Sequence, residues 1–201
     1  IVSDFRVLNS KLQRVTYPIP RIQDILISLN GFTYETLLDL YMGYYALRLT
    51  PNAQKLCTIV FPRGKCSYLT LPMGIANSPD IFQSKINQLM EGLDYVRAYL
   101  DDILIVTKNT YDDHLNKLDT VLQRLHTANL KINIEKSTFA TTSFEYLGYH
   151  ITTSGIRPLT SKVEAIQRLK PPKTLKQLRS LLGLINYYRD MWPSCAHILK
   201  P

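Results

Sequence analysis

The sequence predicts an α+β fold. Some segments repeat apolar residues at helical spacing, others are short β-rich runs, and two of those runs are separated only by Asp101-Asp102. Taken in order, Pro20 suits the first turn of a helix whose apolar face is Ile22, Ile25, Leu26 and Leu29, with Gly31 as its stop. Residues 35–40 read as a short strand leading into Gly43-Tyr44-Tyr45. Residues 56–61 and 66–71 flank Pro62-Arg63-Gly64-Lys65 in a hairpin pattern. Ser78-Pro79-Asp80 combines a cap, a first-position proline and an acid near the positive end of the helix dipole. Phe82, Ile86, Leu89 and Leu93 then share one face. Residues 96–100 and 103–106 are the apolar strands around the paired acids. Leu115, Leu118, Leu122 and Leu125 line another helix, which Asn129 ends in a left-handed turn. Residues 144–152 read as a strand closed by Thr153-Ser154-Gly155. Beyond Thr160, Val163, Ile166 and Leu169 mark a helix that Pro171-Pro172 breaks. Thr174 and Gln177 then have capping-box spacing before Leu178, Leu181, Leu182 and Ile185. The change of character places a subdomain boundary near residue 156.

The chain has 201 residues, 45% hydrophobic and 20% charged, an ordinary globular make-up with no repeat and no low-complexity tract. Its longest apolar runs are too short to span a membrane as a helix. It begins and ends mid-pattern, at Ile1-Val2-Ser3-Asp4-Phe5 and Lys200-Pro201, and reads as part of something longer. Cys57, Cys66 and Cys195 are odd in number and widely spaced, which suits reduced thiols. The net charge of +8 is uneven: residues 1–130 hold 13 basic and 12 acidic residues, residues 131–201 hold 11 and 4. A basic end on a neutral body suits either a polyanion partner or a well-solvated surface. His114, His126, His150 and His197 lack ligand spacing and read as structural or surface residues. No Walker-type glycine loop is present, and Ser137 has no His partner that would suit a hydrolase.

The carboxylates are the informative feature. Tyr99-Leu100-Asp101-Asp102 sets two adjacent acids at a hairpin tip. Alone, the pair reads as a solvated acidic turn or as a divalent-cation site, since like charges repel unless a cation sits beside them. Asp39 stands in an otherwise apolar strand, Thr36-Leu37-Leu38-Asp39-Leu40. If that strand lies beside the hairpin, three carboxylates converge and can serve two Mg²⁺ ions in in-line phosphoryl displacement.

Asp4-Phe5-Arg6-Val7-Leu8-Asn9, Tyr17-Pro18-Ile19-Pro20, Leu38-Asp39-Leu40, Leu71-Pro72-Met73-Gly74, Asn77-Ser78-Pro79, Phe82-Gln83, Tyr99-Leu100-Asp101-Asp102 and Tyr146-Leu147-Gly148 occur in this order. Together they resemble the reverse transcriptase of Ty3/gypsy-type LTR retrotransposons. The stretch from Pro171-Pro172-Lys173-Thr174 through Leu182-Gly183-Leu184-Ile185-Asn186-Tyr187-Tyr188-Arg189 is similar to that family as well. The resemblance implies a right-hand polymerase. Residues 1–12 and 49–72 would be partial fingers, residues 13–48 and 73–155 palm, and residues 156–201 the start of a basic helical thumb or connection. It makes Asp39, Asp101 and Asp102 the catalytic metal ligands for two Mg²⁺, with Mn²⁺ a possible substitute. Tyr44 would sit beneath the incoming sugar, with Met73 and Gly74 flanking the nucleotide pocket. Tyr99, Tyr146, Leu147, Gly148, Lys173 and Lys176 would face the primer-template. From the residues alone, Tyr44 and Met73 are packed core and the two lysines are as readily surface solubility. Lys173 and Lys176 are also poorly placed for the dipole of the helix they open.

The implied activity is RNA-directed DNA polymerisation from dNTPs on an RNA or DNA template-primer. The implied parent is a Pol polyprotein with downstream RNase H and integrase domains, working inside the cell in a virus-like particle. An RNA-dependent RNA polymerase shares the paired acids, but Tyr44 leaves ribonucleotides little room. A catalytically impaired nucleic-acid-binding fragment is the other alternative. Two features depart from the family. Tyr45-Ala46 stand where relatives usually carry His-Gln, and the chain starts downstream of the fingers strand whose basic residues usually hold the triphosphate. Arg6 reads as a packed salt bridge or a nucleic-acid contact.

Overall fold

The computed structural model describes residues 3–192 and 194–198. The chain divides into two compact units, Ile1–Thr142 and Ser143–Pro201.

In the first unit α1 (Arg6–Asn9) precedes α2 (Ile22–Ser28), whose Ile25 and Leu26 are buried. Gly31 follows at φ 73°, the expected left-handed stop. β1 (Tyr34–Tyr41) runs through a left-handed Met42 into a 3₁₀ turn at Gly43–Ala46. α3 (Pro51–Leu56) is too short for an apolar period to announce. It is opened by Thr50, whose hydroxyl accepts from the Ala53 N–H, and by Pro51 in the first turn. It takes Leu56 from the expected strand, so the hairpin is β2 (Thr58–Phe61) and β3 (Gly64–Ser67), turning at Pro62-Arg63. α4 (Ser78–Leu89) starts as expected, but its cap position is Asn77. The Ser78 hydroxyl donates instead to the Pro72 carbonyl (2.9 Å), and buried Asp80 accepts from the Tyr17 N–H (2.9 Å). β4 (Val96–Tyr99), β5 (Asp102–Thr107) and α5 (Tyr111–Thr127) follow, the last ended by Asn129 at φ 54°. β6 (Lys131–Thr141) closes the unit.

Four strands form one antiparallel sheet in the order β4-β5-β1-β6. Side chains alternate across it. Leu38 and Leu40 of β1 and Ile103 and Ile105 of β5 point to one face, where Phe82 and Ile86 of α4 and Leu118, Val121 and Leu125 of α5 cover them. Each such side chain, fully buried, contributes about 1.5–3 kcal/mol. His114 of α5 is wholly buried and bonded through both ring nitrogens, to Thr36 (2.8 Å) and Thr107 (2.9 Å), in the structural role expected. A second, smaller core gathers Phe5, Cys57 and Ile75.

The second unit is a meander of β7 (Ser143–Tyr146), β8 (Tyr149–Thr152) and β9 (Gly155–Pro158), followed by α6 (Thr160–Gln167), α7 (Leu175–Tyr187), a 3₁₀ turn at Arg189–Met191 and α8 (Cys195–Ile198). The single strand expected over 144–152 is two strands, because Leu147 and Gly148 (φ 48° and 83°) make a two-residue hairpin turn. The boundary read near residue 156 falls within β9. The division lies at residue 143, because the helices are tied to the meander: the hydroxyls of Tyr187 and Tyr188 donate to the carbonyls of Leu147 (2.5 Å) and Gly148 (3.2 Å). Both capping-box bonds between Thr174 and Gln177 are formed. Cys57 and Cys66 are free thiols, whereas the Cys195 side chain and Lys200 lie outside the described residues. No helix among the described residues is long and apolar enough to cross a membrane.

Candidate active site

The sheet brings the three acids together. In the register of β1 and β5, Asp39 stands directly opposite Asp102. Directly opposed residues on neighbouring strands share a face, and like charges so placed destabilise the pair. Tyr99 pairs with Asp102 from the other side, so the two-residue turn at the tip is Leu100-Asp101, and Asp102 already belongs to β5. Leu100 takes the left-handed conformation (φ 52°), at a cost of roughly 1–2 kcal/mol for a residue with a β-carbon. The Asp101 carbonyl accepts from the Leu40 N–H at 2.8 Å, which fastens the turn to β1.

All three carboxyl groups are half-buried. Burial, and next the charge of Asp39, raise the pKa of Asp101. Asp102 is pushed up to about 6 by burial, then by Asp39 and Asp101, with Lys136 pulling it back. Such a cluster favours bound protons or a bound cation over three bare charges. Asp101 Oδ1 is buried with no hydrogen-bond partner. Among the described residues no three His, Cys, Asp or Glu side chains already close into a metal cage. The donor set, three carboxylates with one oxygen uncompensated, nonetheless fits a hard divalent cation.

The wall behind the acids is aromatic. Tyr44 is buried and stacked on Phe82, ring centroids 4.8 Å apart. Its hydroxyl pKa is raised by burial and then by Asp101. Gly43 lets this wall approach the turn: a β-carbon there would lie 2.5 Å from Phe82 Cζ and 2.9 Å from Asp101 Oδ1. Phe82 is fully buried and cannot retreat. Gly43→Ala is therefore expected to displace the Asp101 turn and to cost about 1–3 kcal/mol through overpacking. Paired urea melts of both proteins will measure that loss; equal midpoints would show that the wall yields freely.

The other anticipated residues of the first unit lie where loops present them. Met73 is half exposed, and Gly74 is left-handed at φ 92°. The Asn9 side chain pins this loop, donating to the Gly74 carbonyl (2.9 Å) and accepting from the Ala76 N–H (2.8 Å). Arg6 is paired with Asp4, but the pair is exposed and not packed. In the second unit Tyr146 precedes the Leu147-Gly148 turn in a buried position, and Lys173 and Lys176 are exposed at the start of α7. Sequence reasoning missed Ser137 and Lys136. The Ser137 hydroxyl accepts from the Asp39 N–H (3.1 Å) and donates to the Asn133 carbonyl (2.7 Å). Both residues come from β6, whose apolar alternation is too broken to flag a strand.

Residues 1–151 match the family model described as "Reverse transcriptase (RNA-dependent DNA polymerase)". The chain belongs to the reverse transcriptase family. Over its whole length this reverse transcriptase chain is 38% identical, across 203 residues, to a retrovirus-related Pol polyprotein from transposon opus of Drosophila melanogaster, of which it spans 20%. It is 34% identical to the transposon Tf2-3 polyprotein of Schizosaccharomyces pombe, of which it spans 15%. These relatives bear out the LTR-retrotransposon resemblance. Among solved structures, a foamy viral protease-reverse transcriptase in complex with double-stranded DNA superposes with a TM-score of 0.92 at 29% identity, over 98% of this chain and 35% of that one. The same viral enzyme in complex with an RNA/DNA hybrid gives 0.82, over 94% of this chain and 26% of that one. The reverse transcriptase chain thus has the α+β fold of a polymerase palm and fingers, and spans a fifth or less of the polyproteins it matches.

Proposed function

We propose that this chain forms the catalytic part of an RNA-directed DNA polymerase, which extends a primer with dNTPs as one segment of a retrotransposon Pol polyprotein. The observation that carries the reading is the opposition of Asp39 and Asp102 beside Asp101, next to the buried apolar residues Leu38, Leu40 and Ile103 of the same two strands. The parent polyprotein would carry RNase H and integrase downstream and act in a virus-like particle. Residues 1–12 and 49–72 would serve as fingers, 13–48 and 73–155 as palm, and 156–201 as the start of the thumb or connection.

Asp39, Asp101 and Asp102 would hold two Mg²⁺ ions, with Mn²⁺ as a substitute. Bound there, the cations make the primer hydroxyl easier to deprotonate and balance the charge of the departing pyrophosphate. The protein's own part is positioning. β1 and β5 fix two acids side by side, the Leu100-Asp101 turn delivers the third, and Lys136 offsets part of their charge. Met73 and Gly74 flank the nucleotide. Tyr99, Tyr146, Leu147 and Gly148 face the primer-template, and Lys173 and Lys176 meet its phosphates without reading sequence.

The full Pol protein, given Mg²⁺, a primed template and separate dNTP or rNTP pools, tests the reading. Extension with dNTPs alone supports it. Extension with rNTPs alone would indicate an RNA polymerase, and binding without extension a catalytically impaired remnant. Tyr44 refines the test. Its ring, stacked on Phe82, would lie beneath the incoming sugar and exclude a 2′-hydroxyl. Tyr44→Val is expected to raise the rNTP/dNTP ratio of kcat/KM on the order of tenfold or more, the scale on which loss of a steric contact changes selection. Tyr44→Phe should leave the ratio unchanged. An equal ratio in Tyr44→Val would return the ring to a purely packing role.

A further inference from the structure

The Asp101 turn has a support that the acids do not provide. Gln83 of α4 is wholly buried, yet its side-chain amide is directed at the polar backbone of the turn. Its Oε1 accepts from the Leu100 N–H at 2.7 Å, and its Nε2 donates to the Ala98 carbonyl at 3.0 Å. One side chain therefore holds both the last part of β4 and the left-handed residue before Asp101. The same Nε2 donates to Asn87 Oδ1 at 2.8 Å, and Asn87 Nδ2 donates to the Tyr17 hydroxyl at 3.1 Å. The amide is thus oriented from behind by a chain of bonds reaching the segment before α2.

Leu100 carries a β-carbon in a conformation that such residues avoid, and its N–H bonds to a side chain. An apolar residue at position 83 could fill the same buried position, but it would leave the Leu100 N–H and the Ala98 carbonyl short of a partner. Core packing alone does not call for an amide here.

We propose that Gln83 is a positioning residue for the metal-binding turn: its amide clamps Ala98 and Leu100 and so fixes where Asp101 and Asp102 point. The proposal rests on the polymerase reading for its kinetic consequence and on geometry alone for its structural one. The side-chain bonds of Gln83 run to Asn87 and to the backbone of Ala98 and Leu100, not to the acid side chains. It acts through the backbone, so losing it disorders the acids without removing them.

The test compares the full Pol protein with its Gln83→Met variant, near in shape but unable to form either bond. Three measurements are made: hydrogen–deuterium exchange of the peptide covering residues 96–107, template-primer affinity, and the dependence of kcat on Mg²⁺ concentration. The clamp predicts at least about tenfold faster exchange of the Leu100 amide, the order expected when one local bond is lost. It also predicts kcat lowered on the order of ten- to a hundredfold with a higher Mg²⁺ requirement, at unchanged template-primer affinity. Unchanged exchange and unchanged kcat would overturn it, and so would a loss of affinity that accounts for the whole loss of rate. Should Gln83→Met fail to fold, Asn87→Ala removes only the rear bond and is expected to shift the same readouts several-fold; no shift there overturns the proposal. If the unaltered protein extends no primer, the polymerase reading fails, while the Leu100 exchange still decides the clamp.

Discussion

Asp101→Asn in the full Pol protein is expected to cut primer extension by at least on the order of 10²–10³-fold, the scale of losing one preorganised electrostatic group. The neutral amide keeps the shape of the turn and the Leu40 N–H bond to the backbone carbonyl, but it is a poor ligand for a hard cation. Template-primer affinity should stay within roughly twofold, because affinity comes chiefly from phosphate contacts made elsewhere. Stability should rise or hold. Asp101 is a half-buried charge with an uncompensated oxygen, and removing it relieves Asp39 and Asp102. A variant that is more stable, binds normally and is inactive would show that the acids are kept for chemistry at the expense of folding. Full extension by Asp101→Asn would remove Asp101 from the catalytic set.

The second large effect concerns a carboxyl group outside the site. Glu35 of β1 is fully buried, and its oxygens accept from the hydroxyls of Thr141 (2.8 Å) and Thr138 (3.4 Å) on β6. Burial pushes its pKa to about 8, against the pull of those two bonds. The folded chain therefore holds a proton that the unfolded chain releases from about pH 4.5 upward. This contribution is fully present below pH 4.5, declines as the pH rises, and is lost once it passes about 8. At about 1.4 kcal/mol per pKa unit the whole swing is roughly 3–5 kcal/mol. Glu35→Gln keeps one acceptor oxygen, turns an amide N–H toward the other threonine hydroxyl, which can accept it, and cannot ionise. Urea unfolding at pH 5 and pH 9 should show a steep loss in the parent chain and a much flatter response in the variant. Parallel curves would mean that Glu35 ionises in place without cost.

Much of this was legible because the residues concerned act locally. Thr174 and Gln177 are three apart and form the capping box their spacing announces. Asn129 and Gly31 stop helices where the apolar period ends. The acid hairpin was readable for the same reason, since β4 and β5 are joined by two residues. What was not legible depends on distant partners. β6 is mostly polar and has no buried residue, pairs with β1 across roughly ninety residues or more, and shifts register twice. No local pattern marks Ser137 as the partner of the Asp39 backbone, or Lys136 as a charge beside Asp102. Ser78 reads as a cap because Pro79 and Asp80 follow it, yet the cap position is Asn77 and a carbonyl six residues back holds the Ser78 hydroxyl. Residues 144–152 hid a hairpin because Leu147 is not a residue that ordinarily marks a turn.

The order of strands also sets a timetable. β1 lies inside the sheet, yet both its neighbours come later in the chain: β5 begins at Asp102 and β6 at Lys131. On a ribosome adding about 5–20 residues per second, β1 waits several seconds for its first partner and longer for its second. Through that interval Leu38 and Leu40 have no sheet to join, and both backbone edges of β1 are open to pairing with another nascent chain. Asp39 is the one acidic side chain among Leu37, Leu38 and Leu40, and a charge within an apolar strand discourages such pairing. Removing the charge at Asp39, one of two acids in β1 with Glu35, is therefore expected to make Asp39→Asn aggregate more readily during synthesis even where its native fold is sound.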